Sequence, residues 1–276
     1  MLYLGAHLSV THGYLAMAKE ASAMGANTFA FFTRNPRGGK AKNLDLKDMD
    51  LFNKYIKEHK FGKLVAHAPY TLNPASATES TRDFAFMAMK DDIERLELLP
   101  GNYYNFHPGS HVKQGSKKAI ELIAEVLNET LFEGMTTTVL LETMAGKGTE
   151  VGRSFEEIKA IIDKVHLKSK IGVCLDTCHI SDSGYDLVNN FNGVLEEFDR
   201  VIGLDYLKAL HINDSKNEMD SKKDRHEKIG EGYLGLDVFK NIVNHPYLKT
   251  LPMILETPND FEGYEKEIKL LRDMEV

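Results

Sequence analysis

Asp176 and His179 stand three residues apart in Ile171-Gly-Val-Cys-Leu-Asp-Thr-Cys-His179, directly after an apolar run. That run is short and apolar, as a buried strand of a parallel sheet is. A strand alternates its faces with a period of two and cannot hold positions i and i+3 on one side, so the chain must turn just after Asp176. A carboxylate and an imidazole then meet at the carboxyl end of the strand. Five more apolar runs end in a residue that can hold a metal: His67 after Lys63–Ala66, His107 after Tyr103–Phe106, Glu142 after Thr137–Leu141, His211 after Leu207–Leu210 and Glu256 after Pro252–Leu255. A single such histidine or glutamate would read as a hydrogen-bonded loop residue. Six at one mouth would repel or stay unsatisfied unless a cation resolves the cost. His179, Asp224 and His226 add three candidates from loops on the same face. Imidazole and carboxylate ligands without cysteine suit zinc or manganese rather than a calcium or magnesium cage.

The elements that must position these groups alternate in type along the chain. Strand-like runs at Leu2–Ala6, Thr28–Phe32 and the six above are interleaved with helical patterns at Gly13–Met24, Leu46–His59, Thr81–Leu98, Ser116–Leu131, Phe155–Val165, Asn190–Ile202, Leu236–Val243 and Phe261–Met274. Ser154 and Glu157 form a capping box ahead of the apolar face Phe155, Ile158, Ile161, Ile162 and Val165. About eight strand–helix units predict an α/β fold, a (β/α)8 TIM barrel with its chemistry at the C-terminal ends of the strands. The length of 276 residues matches one such barrel, and with no Gly/Ser- or Pro-rich linker a single domain over residues 1–276 is expected.

Composition narrows the setting. No apolar run nears the ~20 residues of a membrane span, and the start Met1-Leu-Tyr-Leu-Gly-Ala-His7 is not that of a signal peptide. The two cysteines, Cys174 and Cys178, lie in one segment and make poor disulfide architecture. They read as buried thiols in a cytoplasmic protein, and a monomer is expected. The net charge of −7 argues at first against a nucleic-acid partner. Of the remaining histidines, His7 could support a ligand, whereas His12, His59, His111, His166 and His245 read as surface or capping residues.

Gly172-Val-Cys-Leu-Asp-Thr-Cys-His179 resembles the central signature of the endonuclease IV family of apurinic/apyrimidinic endonucleases. Gly5-Ala-His7, His67-Ala-Pro-Tyr70, Asn105-Phe-His-Pro-Gly-Ser-His111, His211-Ile-Asn-Asp-Ser-Lys216, Asp224-Arg-His226 and Ile254-Leu-Glu-Thr257 resemble its other motifs, in the family's order. The resemblance implies three Zn²⁺ ions, with Mn²⁺ possible at one or more positions. His67 and His107 would hold the first, Glu142 would bridge it to the second, Asp176, His211 and Glu256 would complete the second, and His179, Asp224 and His226 would hold the third. Three divalent ions would bring the formal charge from −7 to about −1 and make the mouth locally positive. Two zinc ions ~3.5–4 Å apart can share a water and lower its pKa towards ~7. The implied reaction is hydrolysis on the 5′ side of an abasic site in duplex DNA, leaving a 3′-hydroxyl and a 5′-deoxyribose phosphate, with Glu142 as bridging ligand and orienter.

Arg37 and Tyr70 match positions that the family wedges into DNA; their plainer readings are a solvated arginine and a core tyrosine. The chain departs from the family pattern at Gly38-Gly39, Thr71 and Pro74. Two rival functions stand beside the nuclease. A sugar isomerase or epimerase of related architecture would need only Glu142, Asp176, His211 and Glu256. A lesion-binding protein without catalysis would not need the full ligand set.

Overall fold

The computed structural model describes residues 1–276. Eight short strands pair in parallel and close on themselves: β1 (Tyr3–Leu8), β2 (Ala30–Phe32), β3 (Val65–His67), β4 (Tyr103–Phe106), β5 (Thr138–Glu142), β6 (Ile171–Asp176), β7 (Leu207–His211) and β10 (Pro252–Leu255). Each follows its sequence neighbour around the ring, and β10 pairs with β1. Closure leaves no strand edge exposed. The antiparallel pair β8 (Asp214–Ser215) and β9 (His226–Glu227) stands outside the barrel as a small hairpin.

Helices α1 (Tyr14–Ala23), α2 (Leu46–Glu58), α3 (Glu79–Leu96), α4 (Ser116–Thr130), α5 (Phe155–Lys164), α7 (Phe191–Val201), α8 (Gly235–Asn244) and α9 (Phe261–Asp273) surround the barrel. Their apolar stripes and the outer faces of the strands form one cluster of 66 buried residues. Inside the barrel a second cluster holds Ala30, Val65, Leu140, Cys174, Ala209 and Ile254. Ser154 caps α5 by accepting from the Glu157 N–H, the first half of the expected capping box, while the Glu157 carboxylate accepts from the N–H groups of Gly152 and Arg153 instead of that of Ser154. No helix is long and apolar enough to cross a membrane.

The expected elements are present, with shifts at their ends. β1 runs through His7 to Leu8 rather than stopping at Ala6, and α3 begins at Glu79, ahead of Thr81. Two elements were not legible from periodicity: α6 (Thr177–Ser183), just after β6, and the β8–β9 hairpin. Both are too short to show a repeat.

β1 meets the segment entering β2 so closely that a Cβ on Gly5 would lie 1.8 Å from the Thr28 carbonyl oxygen. Backbone on both sides leaves nothing flexible to give way. Gly5→Ala is therefore expected to destabilise the barrel by about 3 kcal/mol, the upper range for overpacking, read as a lowered urea midpoint without a change in slope.

Candidate metal centre

Strand alternation turns the inner apolar cluster directly into a polar layer. Two residues beyond Val65, Leu140, Cys174, Ala209 and Ile254 stand His67, Glu142, Asp176, His211 and Glu256. Because the side-chain period is two, each points to the same side as its apolar predecessor, one step nearer the C-terminal mouth. The same step carries Gly5 to His7, Ala30 to Phe32 and Tyr103 to Asn105, so every barrel strand contributes to this ring. His107 follows β4 in its loop.

Donor atoms gather into three groups within 4.8 Å: His67, His107 and Glu142; Glu142, Asp176, His211 and Glu256; and Asp176, His179 and His226. Asp224 joins the last through Oδ1, 3.1 Å from His179 Nε2 and 3.7 Å from His226 Nε2. Glu142 belongs to two groups. Its Oε2 lies 3.3 Å from both His67 Nε2 and His107 Nε2, and its Oε1 lies 3.1 Å from His211 Nδ1. Asp176 stands between the second and third groups, with Oδ2 3.6 Å from His226 Nε2.

The local fold explains the Asp176–His179 spacing. Asp176 is the N-cap of α6, and its Oδ1 accepts the His179 N–H at 2.9 Å. An N-cap side chain reaches the backbone three residues on, so one carboxylate both starts the helix and leaves Oδ2 facing the mouth. Asn213 Nδ2 donates to that Oδ2 at 2.8 Å, and Asn213 Oδ1 accepts the Glu256 N–H at 2.8 Å. Asn213 thereby ties three strand ends together.

Three imidazoles have one nitrogen committed to a backbone carbonyl. Nδ1 of His67 lies 2.6 Å from Ala68 O, that of His179 2.8 Å from Thr143 O, and that of His226 3.1 Å from Glu256 O. With Nδ1 donating, each neutral ring turns a lone pair on Nε2 towards carboxylate oxygens. Lone pair facing lone pair is unfavourable unless a cation or an added proton sits between them, and a carbonyl on the far nitrogen is how metal-bound histidines are oriented. His226 Nε2 is buried with no hydrogen-bond partner. The donor set therefore fits divalent metals of the zinc or manganese type.

Protonation follows the same crowding. Burial alone would raise the Glu142 carboxyl, but His211 and His107 hold it well below the usual range. Burial would also raise Glu256, and His211 and His7 outweigh it. Asp224 is likewise brought down to about 2, its burial offset by His179. Burial would lower His179, but Asp176 and Asp224 raise it well above the ordinary value; His211 is raised against its burial by Cys174, Glu256 and Glu142. At His67 burial wins over Glu142 and the value falls.

Sequence similarity covers the whole arrangement. The model of the xylose isomerase-like TIM barrel family matches residues 18–274. A probable endonuclease 4 of Alkaliphilus oremlandii is 59% identical over 273 residues, covering 99% of this chain and 97% of the relative. One from Methanosphaera stadtmanae is 54% identical, covering 99% of both. The chain belongs to the endonuclease IV family. The crystal structure of endonuclease IV from Thermus thermophilus superposes with a TM-score of 0.87 at 30% identity, covering 99% of this chain and 98% of that one. A D-tagatose 3-epimerase-like protein, at 18% identity and TM-score 0.70, shares the fold alone.

In this endonuclease IV homologue Tyr70 lines the mouth, and Arg37 lies in the neighbouring loop after β2. Tyr70 is 62% exposed, so it is not core. Its ring stands edge-on to Phe32 at 5.1 Å and 6.0 Å from both His67 and His107. The Tyr70 N–H donates to Pro36 O at 2.9 Å, joining its loop to the one that carries the exposed Arg37. A Cβ on Gly38 would lie 2.5 Å from Thr71 Oγ1, so these two departures from the family pattern are one fitted contact between the loops.

Several contributors escaped the sequence reading. Arg34, buried, donates Nε and Nη2 to the fully buried Asp92 and Nη1 to Gly39 O, pinning the Arg37 loop to α3. Arg225 lines the mouth, a cavity of about 310 Å³, with Tyr70, His107, His179, Asp224, His226 and Glu256. Its place between Asp224 and His226 was the only signal. His7 supports a candidate ligand as expected, with Nδ1 2.8 Å from Glu256 Oε1. Cys174 and Cys178 are buried free thiols.

These shifts predict how the metal-stripped protein responds to pH. His179 and His211 are raised, so the stability they lend is complete below the ordinary imidazole value of 6.5 and is lost as pH rises through their raised values. Glu142, Glu256 and Asp224 are lowered, so theirs is present above the ordinary carboxylate value and fades only as pH falls towards their lowered values. The melting temperature of chelated protein should therefore peak under mildly acidic conditions and decline above neutrality. Reloading with zinc should flatten the alkaline limb, because the metals replace the imidazolium protons as counter-charges. A chelated sample equally stable from pH 6 to 9 would contradict this.

Proposed function

We propose that the protein is a zinc-dependent repair nuclease that hydrolyses the phosphodiester on the 5′ side of abasic sites in duplex DNA, leaving a 3′-hydroxyl and a 5′-deoxyribose phosphate. Membership of the endonuclease IV family makes it a nuclease of the AP endonuclease class. The observation that carries the finer reading is the convergence of His67, His107, Glu142, Asp176, His179, His211, Asp224, His226 and Glu256 on one mouth, with Nε2 of three imidazoles turned inward. In this reading His67, His107 and Glu142 hold one zinc, Glu142, Asp176, His211 and Glu256 a second, and His179, Asp224 and His226 a third, with manganese able to take one or more positions. Bound there, the ions supply a water of lowered pKa and positive charge for the phosphate oxygens.

The chain's own residues hold and orient. Glu142, whose Oε2 faces His67 and His107 and whose Oε1 faces His211, would help hold both of the first two positions, and Asn105 Nδ2, 2.5 Å from Oε2, orients its carboxylate. Asp176 places His179 through its helix cap while facing His226. Tyr70, exposed above His67 and His107, is placed to fill the gap left when an abasic nucleotide leaves the stack, an extrusion that costs less than that of an intact nucleotide. Arg37 and Arg225 would meet phosphates on either side. An isomerase acting through four ligands would have no use for His67, His107, His179, Asp224 and His226, and a binding protein without catalysis would not need the inward-facing set.

A duplex carrying one abasic analogue should be nicked 5′ to the lesion by the purified protein, and prolonged chelation should abolish the nick. Elemental analysis should find close to three zinc-type ions per chain; one per chain would favour the isomerase. Glu142→Ala should reduce nicking below detection while part of the affinity for abasic duplex survives through the rim loops. Near-normal turnover in that variant would end the bridging role.

Tyr70→Ala should weaken binding to abasic duplex by roughly tenfold to a hundredfold, since stacking on a base is worth ~1–3 kcal/mol. Metal content should be unchanged and the loss on undamaged duplex much smaller. Equal losses on both duplexes would make Tyr70 structural.

A further inference from the structure

Asp182 is a fully buried carboxylate in α6 that neither the sequence reading nor the metal groups include. Its Oδ1 accepts from Ser215 Oγ at 2.8 Å, and its Oδ2 accepts the Asp224 backbone N–H at 2.8 Å. A buried anion is costly unless such donors satisfy it. Replacing it by an apolar residue would remove that cost, so the contacts it makes point to what it does.

The segment it grips is under backbone strain. Asp220, Lys222 and Asp224 have φ of 65°, 56° and 53°, three non-glycine residues in the left-handed region within five positions. Each such residue is strained and persists only where the surroundings impose it. The imposing surface is the second half of α6. The Asp220 N–H donates to Ser181 O at 3.0 Å, the Lys222 N–H to Asp182 O at 2.9 Å, and the Asp224 N–H to the Asp182 side chain. Every second N–H of the loop is thus fastened to the helix that carries His179.

Ser215, the other partner, is the cross-strand neighbour of His226 in the β8–β9 hairpin. Its hydroxyl also accepts the Asn217 N–H at 3.1 Å. One carboxylate therefore touches the helix bearing His179, the strand opposite His226 and the backbone of Asp224.

We propose that Asp182 is the positioning residue of the third metal position: it sets where Asp224 and His226 stand relative to His179, without itself reaching the metal. This rests on the three-metal reading above. The geometry specifies a selective effect, because none of these contacts extends to His67, His107 or Glu142.

The test measures zinc content and zinc release to a graded chelator for the wild type, Asp182→Ala, Asp182→Asn, Ser215→Ala and, as comparator, Asp224→Ala, each zinc-loaded at full length. Asp182→Ala should retain about two ions tightly and lose the third, its release occurring at tenfold to a hundredfold lower chelator concentration, as expected for removing a group that orients a ligand. Asp224→Ala should show the same loss. Asp182→Asn keeps one acceptor oxygen and should recover part of the affinity. Ser215→Ala should weaken the third ion several-fold with little change in melting temperature, which keeps the test open if Asp182→Ala fails to fold. Three ions held by Asp182→Ala with wild-type affinity would overturn the positioning role. So would parallel weakening of all the ions in Ser215→Ala and Asp182→Asn, the mark of a purely structural residue. A wild-type protein holding fewer than three ions would instead bring down the reading on which the proposal stands.

Discussion

A carboxylate with no exposure to water, Glu142, sits among four imidazoles, and the arrangement of the barrel mouth follows from satisfying it. His67 and His107 approach one oxygen, and His211 and His179 approach the other, at 3.1 to 3.4 Å. An unpaired buried anion would be prohibitive, and protonated His179 and His211 would in turn lose a counter-charge without it. The groups are tolerable only as a set. This mutual dependence is why side chains from β3, β5, β6, β7 and the segments after β4 and β10 must arrive in register.

The barrel supplies that register cheaply. On five of the eight strands one step of two residues leads from the apolar interior to a metal-competent side chain, so the site inherits the rigidity of the packed layer below it. Groups outside the ring are held by different means. His179 comes from a helix that Asp176 itself caps, and Asp224 and His226 come from a hairpin arm fastened to that helix. The centre thus has a rigid half built on strands and a half built on loops, and buried polar residues such as Asn213, Asp182 and Asp214 do the fastening. Asp214 alone accepts N–H groups from Gly230, Gly232, Leu234 and Gly235.

The rim obeys the same logic on a larger scale. Arg34 and Asp92 anchor the loop that bears Arg37 to α3, and the Pro36–Tyr70 backbone bond joins it to the loop after β3. A protein of net charge −7 can face a polyanion only where local positive charge outweighs the whole. Exposed Arg225 in the mouth and exposed Arg37 in the loop bonded to that of Tyr70 supply positive charge for such a face, and metal ions in the centre would add to it.

Residue types and periodicity alone determined the eight strand–helix units, the six strand-end ligand candidates and the need for a turn after Asp176, because these depend on local patterns of two and 3.6 residues. Residue type and position also offered His179, Asp224 and His226 in loops on the same face; the family motifs joined these three into one set and added Arg37 and Tyr70. Only the tertiary structure decided what joins parts distant along the chain. It showed that His7, Phe32 and Asn105 share the ligand layer, which requires knowing the register between strands. It also paired Gly38 with Thr71, Arg34 with Asp92 and Asp182 with Ser215 and Asp224. Each of these pairs lies more than thirty positions apart in the chain, and a lone buried aspartate or arginine carries no periodic mark. Their partners are chosen by the closure of the barrel, which brings consecutive loops to one face.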